Sequence, residues 1–500
     1  MTRFDDKSVT EQFAGRKISV IGAARSGLDA ARVLRELGAN VLLSDAQTAE
    51  KLGAERIAAI EAMGVPYVLG VGAEDALPTG TEYVITSPGV PRTAGVLQEA
   101  VRRGIPIWSE IELAGRLAQA PIIAITGTNG KTTTTLLTTA ILKAAGFEAI
   151  AAGNISADEI KRTLIDAACK TIPRQRHRTA IVAEISSFQL EWVERFAPKV
   201  AILTNITPDH LNRHATFEEY AATKARIFAA QSDGDFAIVN YDNPIARAIG
   251  EQLPPERRIW FTLQPTPPDS GAAAWLQDDV LTVRLSGEVG QGLKAGGERD
   301  RTGFAPAVSI LPASEMPAAL PGLHSVENAL AAAAAALIMG VEADTIAQAI
   351  RDFAGVPHRM EWVADVCGMR YINNSMCTNV AAAISSLRAM DRPTVAIMGG
   401  ADKELDFAPL ADALSQNDLQ AKIVAIVLIG AAADKIEKAL RAGGYFRIVR
   451  AGSMADAVMK ATERAVTGQA VLLCPACASF DMFHDFEARG AAFRDAVRAL

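Results

Sequence analysis

Cysteine is scarce in this chain of 500 residues: five copies, irregularly placed. That excludes a disulfide framework and fits a reducing compartment. Positive charge is not in excess either. A formal net charge of −7 argues against a broad electrostatic footprint for nucleic acid. No apolar run is long enough to cross a bilayer; the most apolar, ALAAAAAALIMG at 329–340, reads as a buried helix. The opening residues MTRFDDKSVTEQF have neither the apolar core of a signal peptide nor an Arg-rich amphipathic pattern. There is no internal repeat of solenoid period. The expectation is a cytoplasmic globular protein that engages neither nucleic acid nor membrane.

What is present is strand–helix alternation, in three successive systems. The length suits two to four domains. The first system opens with KISVIG (17–22), a glycine turn, a helix through Leu37 and ANVLLSD (39–45), followed by YVITS (83–87) and IPIW (105–108). The second restarts at PIIAITG (121–127) and continues through TAIVAEIS (179–186), VAILTNI (200–206) and DFAIVN (235–240). Between 264 and 321 Pro and Gly cluster. This stretch reads as a mobile loop and linker around one hairpin, AWLQDDVLTVRL, turning at Asp278-Asp279. The third system begins with a helix N-capped by Ser325 and ended at Gly340, then TVAIMGG (394–400), IVAIVLIG (423–430) and AVLLCPA (470–476). Such alternation implies parallel sheets. The expected fold is α/β in three consecutive domains: an N-terminal Rossmann-like nucleotide-binding domain (1–115), a central P-loop ATPase-like domain (116–321) and a C-terminal Rossmann-like domain (322–500).

The segment Gly127-Thr128-Asn129-Gly130-Lys131-Thr132-Thr133 lies between an apolar strand and a helix. A helix N-terminus offers free N–H groups and partial positive charge to a phosphate. The glycines let the backbone wrap closely, Lys131 reaches the outer phosphates and the Thr132 hydroxyl can join a Mg²⁺ shell. The spacing departs from the common Walker pattern, whose first glycine would stand at Ile125. Binding of a nucleoside triphosphate, ATP, with Mg²⁺ is the inference.

Other residues are ambiguous alone. Glu184 closes an apolar strand, as a magnesium ligand or a solvated strand-end acid would. His210 follows another strand, and Lys224 alone reads as a surface lysine. Gly22-Ala23-Ala24-Arg25-Ser26-Gly27 is a dinucleotide-type turn lacking its middle glycine, with Asp45 where a ribose-binding acid would lie. It could be an NAD(P) turn or a purely structural one. Cys474-Pro-Ala-Cys477 has no second CxxC beside it, so zinc or redox chemistry is disfavoured.

In order, GTNGKTT, EISSFQLE (184–191), TNITPDHLNRH (204–214) and AATKARI (221–227) resemble the central domain of the Mur ligases. GLHSVENALAA (322–332), GVPHRMEW (355–362), GGADKELDF (399–407) and CPACASFDMFHDFEARG (474–490) extend the resemblance along the chain. It implies an ATP-dependent carbon–nitrogen ligase of peptidoglycan precursor synthesis, acting as a monomer on UDP-N-acetylmuramoyl-L-alanine and D-glutamate through an acyl phosphate. It further implies that Lys131, Glu184, His210 and Lys224 are catalytic, with Thr132, Glu184, His210 and a carbamylated Lys224 at the metal. Asn328 and Arg359 join the phosphate loop around ATP. Arg25, Ser26, Asp45, Ser87 and Asn154 contact the UDP-substrate, and Thr378, Lys403, Ser479, Phe480 and Phe486 the amino acid.

The chain departs from the family pattern at several points. Ala46-Gln47 replace Thr-Arg, Ser325 replaces an asparagine, and Asn374 and Met376 replace an acid and a lysine. Three rival readings are another acceptor amino acid such as L-glutamate, a nucleotide-binding regulator without turnover, and an NAD-dependent dehydrogenase.

Overall fold

The computed structural model describes residues 11–70, 76–155, 162–171, 178–210, 213–267, 269, 271–286, 306–317, 319–320, 322–402 and 405–500. Three sheets carry the chain. The first is wholly parallel, in the order β3 (Tyr67–Leu69), β2 (Asn40–Asp45), β1 (Lys17–Ile21), β4 (Tyr83–Thr86), β5 (Ile107–Ser109). The order reverses at β1, which opens a crevice beyond the strand ends where such sheets bind ligands.

The second sheet has nine strands. Its parallel part runs β11 (Arg258–Thr262), β10 (Phe236–Asn240), β9 (Val200–Leu203), β6 (Ile122–Thr126), β8 (Thr179–Glu184), β7 (Glu148–Gly153). Every residue of β6, β8 and β9 is buried, as parallel strands covered on both faces by helices must be. Beyond β11 the parallel run ends with β12 (Ala273–Gln277), and the antiparallel strands β13 (Val280–Arg284) and β14 (Val308–Pro312) follow. Strands β12 and β13 form the expected hairpin. Both turn residues are left-handed, Asp278 at φ 48° and Asp279 at φ 65°, the twist a two-residue hairpin requires. Strand β14 extends this antiparallel edge, so part of the expected loop and linker is sheet; residues 287–305 lie outside the described residues.

Two expectations for the next segment need correction. The helix Leu323–Ile338 begins after Gly322 (φ 76°), so Ser325 sits buried inside it and not at its N-cap. This helix packs on the helix Lys131–Ala144 and on β10–β13, and the next, Ala343–Arg351, packs on the same helix and on β14. Both therefore belong to the core of the second sheet, beyond the expected limit at 321. The chain divides into two compact units, one of residues 1–156, 160–315 and 323–352, the other of 157–159, 316–322 and 353–500.

Within the first unit a seam joins the two sheets. Glu112 accepts the amides of Glu194, Arg195 and Phe196, each at 2.9 Å, and pairs with Arg116 at 2.8 Å. Charge-assisted bonds of this kind let a carboxylate remain fully buried. The second unit holds the sheet β15 (Glu361–Val366), β16 (Met369–Asn373), β20 (Ala470–Leu473), β17 (Thr394–Gly399), β18 (Ile423–Ile429), β19 (Ile448–Arg450). Only the β15–β16 pair is antiparallel.

Candidate active site

The crevice at β1 and β4 is a cavity of about 750 Å³ in the first unit. Arg25, Ser26, Asp45, Ser87 and Asn154 all line it, so the fold brings together every residue expected at the nucleotide-substrate end. Gly22 has φ 100°, and a Cβ there would lie 2.8 Å from the Ser87 Cβ. The Ser87 hydroxyl donates to the Gly22 carbonyl at 3.2 Å. Asp45 accepts the amides of Ala23 at 2.7 Å and Gln47 at 2.8 Å. Its carboxylate thus braces the turn as well as facing the cavity.

The second turn is more tightly built. Gly127 has φ 148° and a Cβ would fall 1.9 Å from Thr204 Oγ1; Gly130 has φ 85° and a Cβ would fall 2.4 Å from Asn328 Oδ1. Asn205 clamps the loop from the end of β9. Its side-chain oxygen accepts the Asn129 amide at 2.9 Å, and its backbone carbonyl accepts the Thr128 amide at 2.9 Å. Thr204 donates to the Asn129 carbonyl at 2.6 Å. Asn328 accepts from the Thr134 hydroxyl at 3.2 Å, supporting the loop from behind. Lys131 Nζ donates to the Thr128 carbonyl at 2.9 Å, folded over the loop whose outer phosphate it would neutralise.

Buried charge surrounds this loop. The Thr132 hydroxyl donates to Glu184 Oε2 at 2.7 Å, with both residues buried. Lys224 is 2 % exposed and donates to the Gly127 carbonyl at 2.9 Å. Burial, and then the charge of Lys131, hold its ammonium pKa well below the ordinary lysine value, against Asp209 and Glu184. His210, at φ 53°, is lowered by burial and by Lys224 and Lys131, with Asp209 opposing. Its imidazole is therefore neutral at pH 7. Lys131, Glu184, His210 and Lys224 thus share one electrostatic neighbourhood.

Among the described residues, no group of three or more His, Cys, Asp or Glu side chains is arranged to hold a metal. The oxygens of Thr132 and Glu184 nevertheless suit Mg²⁺, which takes one or two protein ligands and completes its shell with phosphate and water. Sequence reasoning missed Asn205, Asp209 and Tyr220, although the first two lie in the segment quoted for His210. Tyr220 meets the Thr128 hydroxyl at 3.1 Å. The signal available was a short polar loop after a parallel strand.

In the second unit, Ser479 and Phe480 follow β20 beside the glycine turn after β17, where Gly399 (φ 117°) and Gly400 (φ 146°) leave no room for a Cβ. Ser479 is buried, whereas Phe480 is 66 % exposed. Thr378 is exposed in the loop before the helix Val380–Ala389. Phe486 opens the helix Phe486–Arg498, and its carbonyl accepts the Ser375 hydroxyl at 2.7 Å. Arg359 lies between His358 (φ 61°) and Met360 (φ 47°). Lys403 lies outside the described residues. Asn374 is fully used: its amide donates to the Leu473 carbonyl at 3.0 Å, its side chain donates to Ser386 at 2.8 Å, and it accepts the Met360 amide at 3.2 Å.

Fold and site together define a nucleotide-binding α/β protein whose phosphate loop is ringed by buried lysine, carboxylate and hydroxyl groups. The chain belongs to the Mur ligase family. Residues 125–336 match the Mur ligase middle domain and 358–477 the Mur ligase glutamate ligase domain. The first match ends within the helix Leu323–Ile338, in keeping with its packing. A Pelotomaculum thermopropionicum protein named UDP-N-acetylmuramoylalanine–D-glutamate ligase is 40% identical over 98% of this chain and 99% of its own. One of the same name from Salinibacter ruber is 39% identical over 97% and 98%. Among solved structures, a pseudomurein peptide ligase type C from Methanothermus fervidus superposes with a TM-score of 0.52 at 19% identity, covering 97% of this chain and 100% of that one. A UDP-N-acetylmuramate–alanine ligase from Thermotoga maritima gives 0.52 at 17% identity, covering 97% and 99%. At such identities the structures speak for the fold alone.

Proposed function

We propose that the protein is the cytoplasmic, monomeric ligase that joins D-glutamate to UDP-N-acetylmuramoyl-L-alanine using ATP and Mg²⁺. The L-alanine carboxylate takes the γ-phosphoryl group of ATP, giving an acyl phosphate and ADP. The glutamate amine attacks the activated carbonyl, and phosphate leaves. The observation that carries this reading is Lys224, a buried amine bonded to the first carbonyl of the phosphate loop, in a chain whose full-length relatives bear that ligase name.

Gly127 to Thr133, Asn328 and Arg359 hold ATP. Thr132, Glu184, His210 and a carbamylated Lys224 would hold Mg²⁺, which would supply positive charge beside the phosphoryl group. The lowered pKa favours the neutral amine of Lys224, the form that adds CO₂ to become a carbamate. Arg25, Ser26, Asp45 and Ser87 on residues 1–115, with Asn154 after β7, hold the UDP-substrate. Thr378, Lys403, Ser479, Phe480 and Phe486 hold the amino acid in the second unit, with the ATP domain running from 116 to about 352.

Phosphate release with UDP-N-acetylmuramoyl-L-alanine, ATP and Mg²⁺ tests the reading. Turnover is expected with D-glutamate and not with L-glutamate or without an amine. Turnover only with another amino acid overturns the acceptor, and none with any amine overturns the activity. Lys131→Ala should abolish turnover and leave UDP-substrate binding intact.

A further inference from the structure

The first helix after β5, Glu110–Leu117, begins with two acids two residues apart whose surroundings differ sharply. Glu112 is held by three amides and an arginine. Glu110 is 3 % exposed, and it lines the 750 Å³ cavity together with Gln189. One of its oxygens accepts from Gln189 Nε2 at 2.8 Å. Gln189 is itself held, its Oε1 accepting from the Ser186 amide at 2.8 Å and hydroxyl at 3.0 Å. The other Glu110 oxygen, Oε2, has no hydrogen-bond partner. Buried polar atoms are rarely left so.

We propose that Glu110 is a substrate-binding residue whose carboxylic acid donates a hydrogen bond from Oε2 to an acceptor oxygen of the UDP-linked substrate in this cavity. This rests on the proposed function.

Several of the charged side chains on elements packed against Glu110 are paired, while Arg25 and Arg35 on the helix Arg25–Glu36 have no ion pair among the described residues. Asp29 pairs with Arg32 on the helix Arg25–Glu36, Asp166 with Lys170 on Leu164–Thr171, and Glu191 with Arg213; Arg116 is taken by Glu112. Arg25 and Asp45 line the same cavity. None of these charges offsets the loss of water around the Glu110 carboxyl. Burial pushes it up to about 7, opposed only by Gln189 and the amides of Glu110 and Ile111. The acid is thus about half protonated at pH 7 and mostly neutral below it, and the unpartnered oxygen is the one placed to donate that proton. A neutral donor suits a substrate carrying a diphosphate, which a carboxylate would repel.

Calorimetric titration of the full chain with UDP-N-acetylmuramoyl-L-alanine, without ATP, from pH 6 to 8.5, tests the proposal beside turnover assays at pH 7. Wild-type affinity should weaken, approaching tenfold per pH unit above about 7. Glu110→Gln keeps the shape and donates at every pH, so its affinity should stay at the low-pH wild-type level throughout. Glu110→Ala should bind weakly at every pH. Binding with normal turnover but no pH difference between wild type and Glu110→Gln overturns the role of Glu110 alone. So does Glu110→Gln binding as weakly as Glu110→Ala. Absence of both wild-type binding and turnover overturns the functional reading and this proposal with it.

Discussion

The two glycine turns of the first unit sit at corresponding places on adjacent sheets, yet they are held by different chemistry. The turn at Gly22–Gly27 is braced by a neutral hydroxyl from Ser87 and by amides on Asp45, and its helix begins beside an open cavity. The turn at Gly127–Gly130 is pressed between Thr204, Asn205 and Asn328, with Lys224, Glu184 and Thr132 buried around it. A site that only retains a diphosphate needs backbone dipoles and fit. A site that moves a phosphoryl group must hold charge already oriented where negative charge develops. Buried ionisable groups are costly, so their concentration at one turn marks which turn carries the chemistry.

Lys224→Ala should have the largest effect. It removes the buried amine on the Gly127 carbonyl, and kcat should fall by about 10²–10³, the order found on removing one preorganised electrostatic group. UDP-substrate affinity, measured by calorimetry, should be unchanged. A variant that retained kcat, or that lost UDP-substrate binding, would break the division of labour between the turns.

Gly27→Ala probes the other side. Its Cβ would lie 1.7 Å from the Gly22 carbonyl oxygen, so the turn must open. UDP-substrate affinity should fall by about fivefold to 150-fold, the equivalent of the roughly 1–3 kcal/mol cost of overpacking. ATP affinity should be spared. Gly130→Ala, facing Asn328 Oδ1 at 2.4 Å and held at φ 85°, should reverse the pattern. Equal losses of both ligands in either variant would show that the turns are not independent.

How much of this was legible in the sequence follows the same contrast. The strands flanking both turns read clearly because parallel strands buried on both faces are continuous apolar runs. Strands β3 and β19 have three residues each, and β15 is a half-exposed edge; none gives such a run. The helix Leu323–Ile338, rich in alanine and mostly buried, could by its composition pack in either domain, so the expected limit at 321 had no local basis. At the site, the phosphate loop was readable from its glycines and Lys-Thr pair between a strand and a helix, whereas Lys224 looked like a surface residue until its neighbours in the ordered motifs were counted. Glu110 gave no signal because its partner, Gln189, is 79 residues away. Long-range pairs of this kind belong to the fold, and no sequence window contains them.

Ser87→Ala makes the smallest and sharpest cut between the turns. It deletes the neutral hydroxyl that donates to Gly22 at 3.2 Å and leaves an apolar methyl in a buried position. A neutral hydrogen bond contributes about 1 kcal/mol net, so the KM for the UDP-substrate should rise by about fivefold. The value of kcat should not move, since no charge near the phosphoryl group is touched. A loss of a hundredfold, or any fall in kcat, would mean that Ser87 does more than brace the turn and contact the substrate. The first site would then share in the chemistry that the buried charges assign to the second.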